Sequence, residues 1–246
     1  MSLMFTVALL AAFVGAVAGF AGVFVVLRRV AMLGDAISHA LLPGLVVGFL
    51  VARGPALWAG ALGATAAGLV TVGLVEWLER KAKVRVDAAL GIVFPVMFSL
   101  GVVLIARGFE NVHLDADAVL YGDIVFALDD RLILAGRDLG PVALWTLSVV
   151  AVLQVVFLVL FRKEMALTTF APDTPELDPR RVAALRWSFL TLTCLTLVVA
   201  FSAVGAVMAV GLLVVPAALA TLWTSRLGAV LVAAPLLGGL AGFLGV

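Results

Sequence analysis

Charged residues are scarce in this chain of 246 residues, at 13% of the sequence against about 25% in an average soluble protein. Hydrophobic residues make up 65% of it, where a soluble domain has about 45–50%. The mean hydropathy is +1.27. A soluble domain cannot bury so large an apolar excess, so the composition excludes a water-soluble globule, and it also excludes disorder, collagen and a coiled coil.

Cysteine is nearly absent, since Cys194 is the single one, and this excludes an intrachain disulfide and a Cys-x-x-Cys metal site. The net charge is only +1, so the charge balance gives no reason to expect nucleic acid as a partner. The phosphate-binding GxxxxGK[ST] loop is missing, and so are the HExxH and GxSxG patterns. We therefore expect neither ATP binding by that loop nor these kinds of hydrolysis.

Long apolar runs fill most of the chain, and each is about as long as the ~20 residues that cross a membrane as a helix. A β-barrel would instead need alternating segments of about 10 residues. We therefore predict an all-α, polytopic transmembrane helical bundle of about eight spans, forming a single domain over 1–246 in the cell (inner) membrane and surrounded by lipid. The runs lie at 4–27, 31–52, 56–78, 90–106, 141–161, 187–204, 206–223 and 228–246.

Lys and Arg divide the predicted loops into two sets. Alternate loops carry twelve of these residues and the other loops carry four, and the richer set is expected in the cytoplasm. This places the N-terminus outside and makes 162–186 a cytoplasmic segment. The first run has Arg28 and Arg29 after it and no basic residue before it, which favours a retained helix over a signal peptide.

The stretch 107–140 is predicted to be an external segment, because it contains seven acidic residues. It is too long for a plain loop, and four apolar positions predict a short helix that folds back on the membrane domain, namely Val119, Leu120, Ile124 and Phe126. His113 lies there with Asp115 and Asp117. Loop polarity explains that group better than a metal-collecting patch does.

Two ionisable residues, Asp35 and His39, lie inside the second apolar run. At four residues apart they share one helix face, together with Ser38. A charge in hydrocarbon costs ~2.5–3.5 kcal/mol, so such groups normally face a bundle interior or a wet path. Carboxylate oxygen and imidazole nitrogen both ligate divalent cations. One interpretation is a cation path; the other is a pair that holds helices together, or an aspartate stabilised by the helix dipole.

Pro43 follows His39 by four residues. If the helix continues through this proline, the missing N–H leaves the His39 carbonyl without its helical partner, beside the imidazole. The alternative is that the helix kinks or ends there.

The segment 22–44, GVFVVLRRVAMLGDAISHALLPG, closely resembles the membrane subunits of ATP-binding-cassette importers for manganese, zinc or iron. Three further stretches are similar to elements of that family: 120–125 (LYGDIV), 170–173 (FAPD) and 204–220 (VGAVMAVGLLVVPAALA). The resemblance covers nearly the whole chain in order.

The resemblance implies a permease subunit, not an enzyme, that imports a divalent transition-metal ion (Mn, Zn or Fe). It implies separate ATPase subunits that act on 162–186 as the coupling segment, and an extracellular or periplasmic metal-binding protein. It also implies a second permease copy, as in a homodimer. Asp35 and His39 match the family's intramembrane aspartate and histidine, so they are expected to contact the ion.

Three other classes of function remain open at this point. A metal channel or carrier that is not driven by ATP would need no coupling segment. An intramembrane enzyme would use Asp35 and His39 as an acid–base pair on a lipid or peptide. A structural scaffold would accept apolar residues at both positions.

Overall fold

The computed structural model describes residues 3–52, 57–108, 131–134, 137–170 and 178–245. Eight α-helices contain nearly all of them, and each is long and apolar enough to cross a membrane. The predicted all-α bundle of eight spans is therefore confirmed. The helices are α1 (Leu3–Leu27), α2 (Met32–Ala52), α3 (Leu57–Ala82), α4 (Val86–Gly108), α5 (Val142–Phe170), α6 (Pro179–Val204), α7 (Ala206–Trp223) and α8 (Leu227–Leu244).

Two short strands precede α5. β1 (Arg131–Leu134) and β2 (Arg137–Pro141) pair in an antiparallel hairpin, which the sequence did not predict. The fold-back helix predicted around Val119, Leu120, Ile124 and Phe126 lies outside the described residues, as does His113.

Helix α5 continues well beyond the apolar run that predicted it. The run ends at 161, whereas the helix ends at Phe170. Phe161 itself has non-helical angles (φ −111°, ψ 21°), so the helix kinks there. We call the part beyond the kink, 162–170, the terminal segment of α5.

Helix α6 also begins earlier than hydropathy predicts, because its start is set by a cap. The Asp178 carboxylate accepts a hydrogen bond from the backbone N–H of Arg180 at 3.0 Å. Pro179 occupies the first position of the helix, where a missing N–H costs nothing. The described parts of 162–186 are therefore helical apart from the capping residue Asp178.

Two groups of helices make up the bundle. Helix α1 packs most extensively against α7 and α8, whereas α2 packs against α3 and α4. Helix α6 joins the groups, since it contacts α1, α2, α3 and α7, and α5 packs on α6. The largest fully buried side chains of this core include Phe24, Ile37 and Leu197.

Glycines set the distance between helices at two places. Gly15 of α1 and Gly238 of α8 face each other so closely that a Cβ on either would collide with the other's carbonyl oxygen. Gly44 of α2 faces α3 in the same way, and a Cβ there would lie 2.5 Å from the carbonyl oxygen of Gly63. In lipid, where helix association relies on van der Waals contact, small residues permit this approach.

The contact between α1 and α8 predicts opposite effects for one substitution at two sites. Gly15→Ala should lower the midpoint of thermal unfolding in detergent, because the methyl group forces the helices apart. Gly91→Ala in α4 is the matched control and should raise the midpoint slightly. Nothing lies within 4 Å of a Cβ at Gly91, and Ala is a better helix former than Gly by about 1 kcal/mol. An unchanged midpoint for Gly15→Ala would contradict the close contact.

Candidate functional site

The structure brings Asp35 and His39 together on one face of α2. Asp35 lies in the first turn of the helix, with 59% of its side chain exposed, and His39 follows one turn later, at 25%. The His39 Nε2 and the Asp35 Oδ1 are 3.6 Å apart, which is too far for a hydrogen bond. Ser38 is not part of the pair, because its hydroxyl is buried and donates to the carbonyl oxygen of Gly34 at 3.0 Å.

The carboxylate of Asp35 is not used to cap its own helix. The backbone N–H groups of Leu33 and Gly34 donate instead to the carbonyl oxygens of Val30 and Ala31, at 2.9 and 3.1 Å. Among the residues that the structure describes, the side chain of His39 is the one polar partner that Asp35 approaches. The first turn of a helix is also where the dipole stabilises a negative charge. The carboxylate is thus available for an outside ligand.

Aromatic rings of α4 hold the imidazole of His39. Phe94 lies edge-on at a centroid distance of 4.4 Å, and Phe98 at 5.8 Å, with both ring planes nearly perpendicular to the imidazole. Such edge-to-face contacts are favourable and directional. The Nδ1 atom is buried and has no hydrogen-bond partner in the described part of the chain. The nitrogen open to a ligand is therefore Nε2, on the side of Asp35.

Helix α2 continues through Pro43 to Ala52, so it does not end at the proline. Because Pro43 has no N–H, the carbonyl of His39 lacks the donor that an ordinary residue would supply there. Gly101 of α4 lies against the proline ring, because a Cβ at Gly101 would be 2.9 Å from the Cδ of Pro43. The His39 carbonyl oxygen is therefore a further candidate ligand near the imidazole.

The separation of the pair fits one divalent ion. Bonds from a metal to nitrogen or oxygen are ~2.0–2.2 Å long, so two atoms that bind one ion are at most about 4 Å apart. The observed 3.6 Å lies within that limit. Over the described ranges, no group of three or more His, Cys, Asp or Glu residues could hold a metal. One chain therefore offers two side-chain ligands, and the others must come from water, backbone or a second chain.

A second polar site was missed by the sequence analysis. Glu76 of α3 is 9% exposed, and its Oε1 lies 2.8 Å from the Nε of Arg186 in α6. Arg186 lies in the segment 162–186 that the charge distribution places in the cytoplasm, and nothing in the sequence pairs it with Glu76. An acid inside the apolar run 56–78 is the signal that could have identified it, since buried charges are normally paired.

Arg28, which follows the last residue of α1, lies next to this ion pair. Its Nη2 donates to the hydroxyl of Thr168 at 2.9 Å, and its Nε donates to the hydroxyl of Thr169 at 3.2 Å. The guanidinium also lies over the ring of Phe189, at 5.4 Å. Burial, and then the charge of Arg186, lowers the pKa of Arg28 to about 10. The side chain is therefore still charged at neutral pH.

The Glu76–Arg186 and Asp87–Arg85 ion pairs predict different costs of removal. Glu76→Gln should lower the midpoint of thermal unfolding by several degrees, because it leaves Arg186 unpaired beside Arg28. Asp87→Asn should change it little, because Asp87 and Arg85 are 3.6 Å apart and mostly exposed, and exposed pairs contribute only ~0–1 kcal/mol. Equal midpoints for the two variants, measured in the same detergent, would show that the Glu76 pair does not stabilise the bundle.

Eight helices that are long and apolar enough to cross a membrane define a multi-pass membrane protein. The chain matches the ABC 3 transport family over residues 1–246 and belongs to that family. It is a transport subunit of the cell membrane, not an enzyme.

Two relatives and one solved structure illustrate the similarity. The chain is 40% identical over 232 residues to the manganese transport system membrane protein MntD of Bacillus subtilis, covering 94% of this chain and 78% of that one. It is 37% identical over 210 residues to the zinc transport system membrane protein TroD of Treponema pallidum, covering 85% of this chain and 57% of that one. Its fold is similar to PsaBC from Streptococcus pneumoniae, solved in complex with a Fab, with a TM-score of 0.74, 24% identity, and coverage of 99% of this chain and 80% of that chain.

Proposed function

We propose that this chain is the permease subunit of an ATP-binding-cassette importer and carries a divalent transition-metal ion (Mn, Zn or Fe) across the cell membrane. The Asp35–His39 pair is the observation that supports this most directly. It presents a carboxylate oxygen and an imidazole nitrogen 3.6 Å apart, on an exposed face of a membrane-spanning helix. The names of two relatives, which are manganese and zinc transport system membrane proteins, agree with such a cargo.

The pair holds the ion only in transit. Two side-chain ligands from one chain bind more weakly than a complete ligand set, and a transport site must release what it binds. A second, identical copy that covers the exposed face of α2 supplies another aspartate and histidine. Four such ligands suit a first-row divalent ion, although ligand type alone does not choose among Mn, Zn and Fe.

Separate ATPase subunits drive the cycle. The N-terminus is outside, 162–186 is the cytoplasmic coupling segment, and 107–140 receives the ion from an extracellular or periplasmic metal-binding protein. The described parts of the coupling segment belong to α5 and α6. An ATPase whose nucleotide states differ in affinity for this segment shifts the balance between permease conformations.

Removal of either ligand should abolish most transport. Mn²⁺ uptake by cells carrying the transporter should fall at least about tenfold in Asp35→Asn and in His39→Gln, since losing even an outer partner of a metal site costs about 10–100-fold in affinity. Asp87→Asn is the control, because it removes the same charge from the first turn of another spanning helix.

Two results would contradict the proposal. Normal uptake in both ligand variants would remove the transit role of the pair. Uptake that persists when ATP hydrolysis is blocked would indicate a channel or carrier that needs no ATPase.

A further inference from the structure

We infer that Arg28 is a positioning residue for transport: its guanidinium ties the terminal segment of α5 to the turn that leads into the Asp35–His39 pair. A movement of the coupling segment is thereby passed to α2. This inference rests on the proposed function, and it adds the contact through which the coupling segment acts.

The contact is directional. The hydroxyls of Thr168 and Thr169 each donate to the carbonyl oxygen of Met165, at 3.2 and 2.7 Å. Each hydroxyl proton is therefore already used in a hydrogen bond. The oxygen lone pairs remain able to accept hydrogen bonds from the Nη2 and Nε of Arg28. The planar guanidinium offers donors in a fixed fork, which matches two acceptors on neighbouring residues better than a lysine ammonium would.

The turn after Arg28 is braced by hydrogen bonds. The backbone N–H of Arg28 donates to Phe24 at 3.0 Å, and that of Val30 donates to Val25 at 3.0 Å. The carbonyl of Val30 then accepts from Leu33, the second residue of α2, at 2.9 Å. The end of α1 is thus joined to the first turn of α2 without a loose linker. Asp35 lies in that first turn, so a shift of Arg28 displaces it.

On the α5 side, a kink in the helix separates the contact from the rest of α5. All the residues of α5 to which Arg28 donates lie beyond the kink at Phe161, in the terminal segment: Met165, Thr168 and Thr169. A break in helical geometry is where a helix can bend without disturbing its packed part. A bend at Phe161 therefore moves the terminal segment, together with its buried Met165, relative to the part of α5 that packs against α6.

The groups of α5 that accept hydrogen bonds from Arg28 are all uncharged. Arg28 is bound by neutral oxygens and sulfur, and among the described residues no carboxylate pairs with it. Glu76 is held instead by Arg186. The contact therefore consists of charge-assisted hydrogen bonds, and it depends on the guanidinium and the two hydroxyls together.

The test uses the complete transporter with its ATPase subunits in lipid vesicles, and measures Mn²⁺ uptake and ATP hydrolysis together. In Arg28→Gln, uptake per ATP hydrolysed should fall about tenfold, because two charged hydrogen bonds are lost. Arg29→Gln is the matched control, since it removes the same charge from the neighbouring, exposed residue. Arg28→Lys keeps the charge but not the forked set of donors. Its uptake per ATP hydrolysed should lie between the values for Arg28→Gln and Arg29→Gln.

The same contact is tested from the side of α5, where the guanidinium stays in place. The double variant Thr168→Val, Thr169→Val should lower uptake per ATP as Arg28→Gln does, and restoring hydroxyls with Thr168→Ser, Thr169→Ser should recover it. If the Arg28→Gln protein does not accumulate in the membrane, the double valine and double serine variants still test the inference. A merely structural role would lower uptake and hydrolysis together and leave their ratio unchanged.

An unchanged ratio in the threonine-to-valine variant, or a recovery that does not follow the hydroxyls, overturns the inference and leaves the proposed function intact. If the unaltered complex takes up neither Mn²⁺ nor, in a parallel run, Zn²⁺ with ATP, the proposed function fails and this inference fails with it.

Discussion

The free energy of placing a charge in or beside hydrocarbon governs where the ionisable groups of this bundle lie. Glu76 is buried and is held by Arg186 of another helix. Arg28 is partly buried, and hydroxyl oxygens and an aromatic face surround its charge. Asp35 differs from both, because it is exposed on its helix and no described basic side chain other than His39 approaches it. Of these three groups, Glu76 and Arg28 are compensated within the described bundle, whereas Asp35 is exposed.

The eight spans were predictable because hydropathy depends on composition over about 20 residues, and it needs no knowledge of neighbours in space. The shared face of Asp35 and His39 was predictable for a similar reason, since a spacing of four residues fixes it within one helix. The ends of α5 and α6 were not, because polar residues such as Lys163 and Arg180 continue a helix without any hydropathy signal. For α6, the Asp178-Pro179 cap was the local cue.

Contacts between helices could not be predicted from the sequence, for a different reason. Nothing in the order of residues pairs Glu76 with Arg186, or places Phe94 and Phe98 on His39, because these contacts depend on how whole helices pack. The most informative local hint was an acid inside an apolar run. The surroundings of His39 needed the structure: its two aromatic neighbours leave Nδ1 enclosed and present Nε2 to Asp35.

The seam of Gly15 against Gly238 joins the first described helix to the last one. A ribosome completes α1 long before α8, so the small-residue face of α1 enters the bilayer without its final partner. Until α8 arrives, that face can be covered only by lipid, by another helix or by the insertion machinery. The closure of this half of the bundle is therefore a late event of biosynthesis, and it follows from chain order alone.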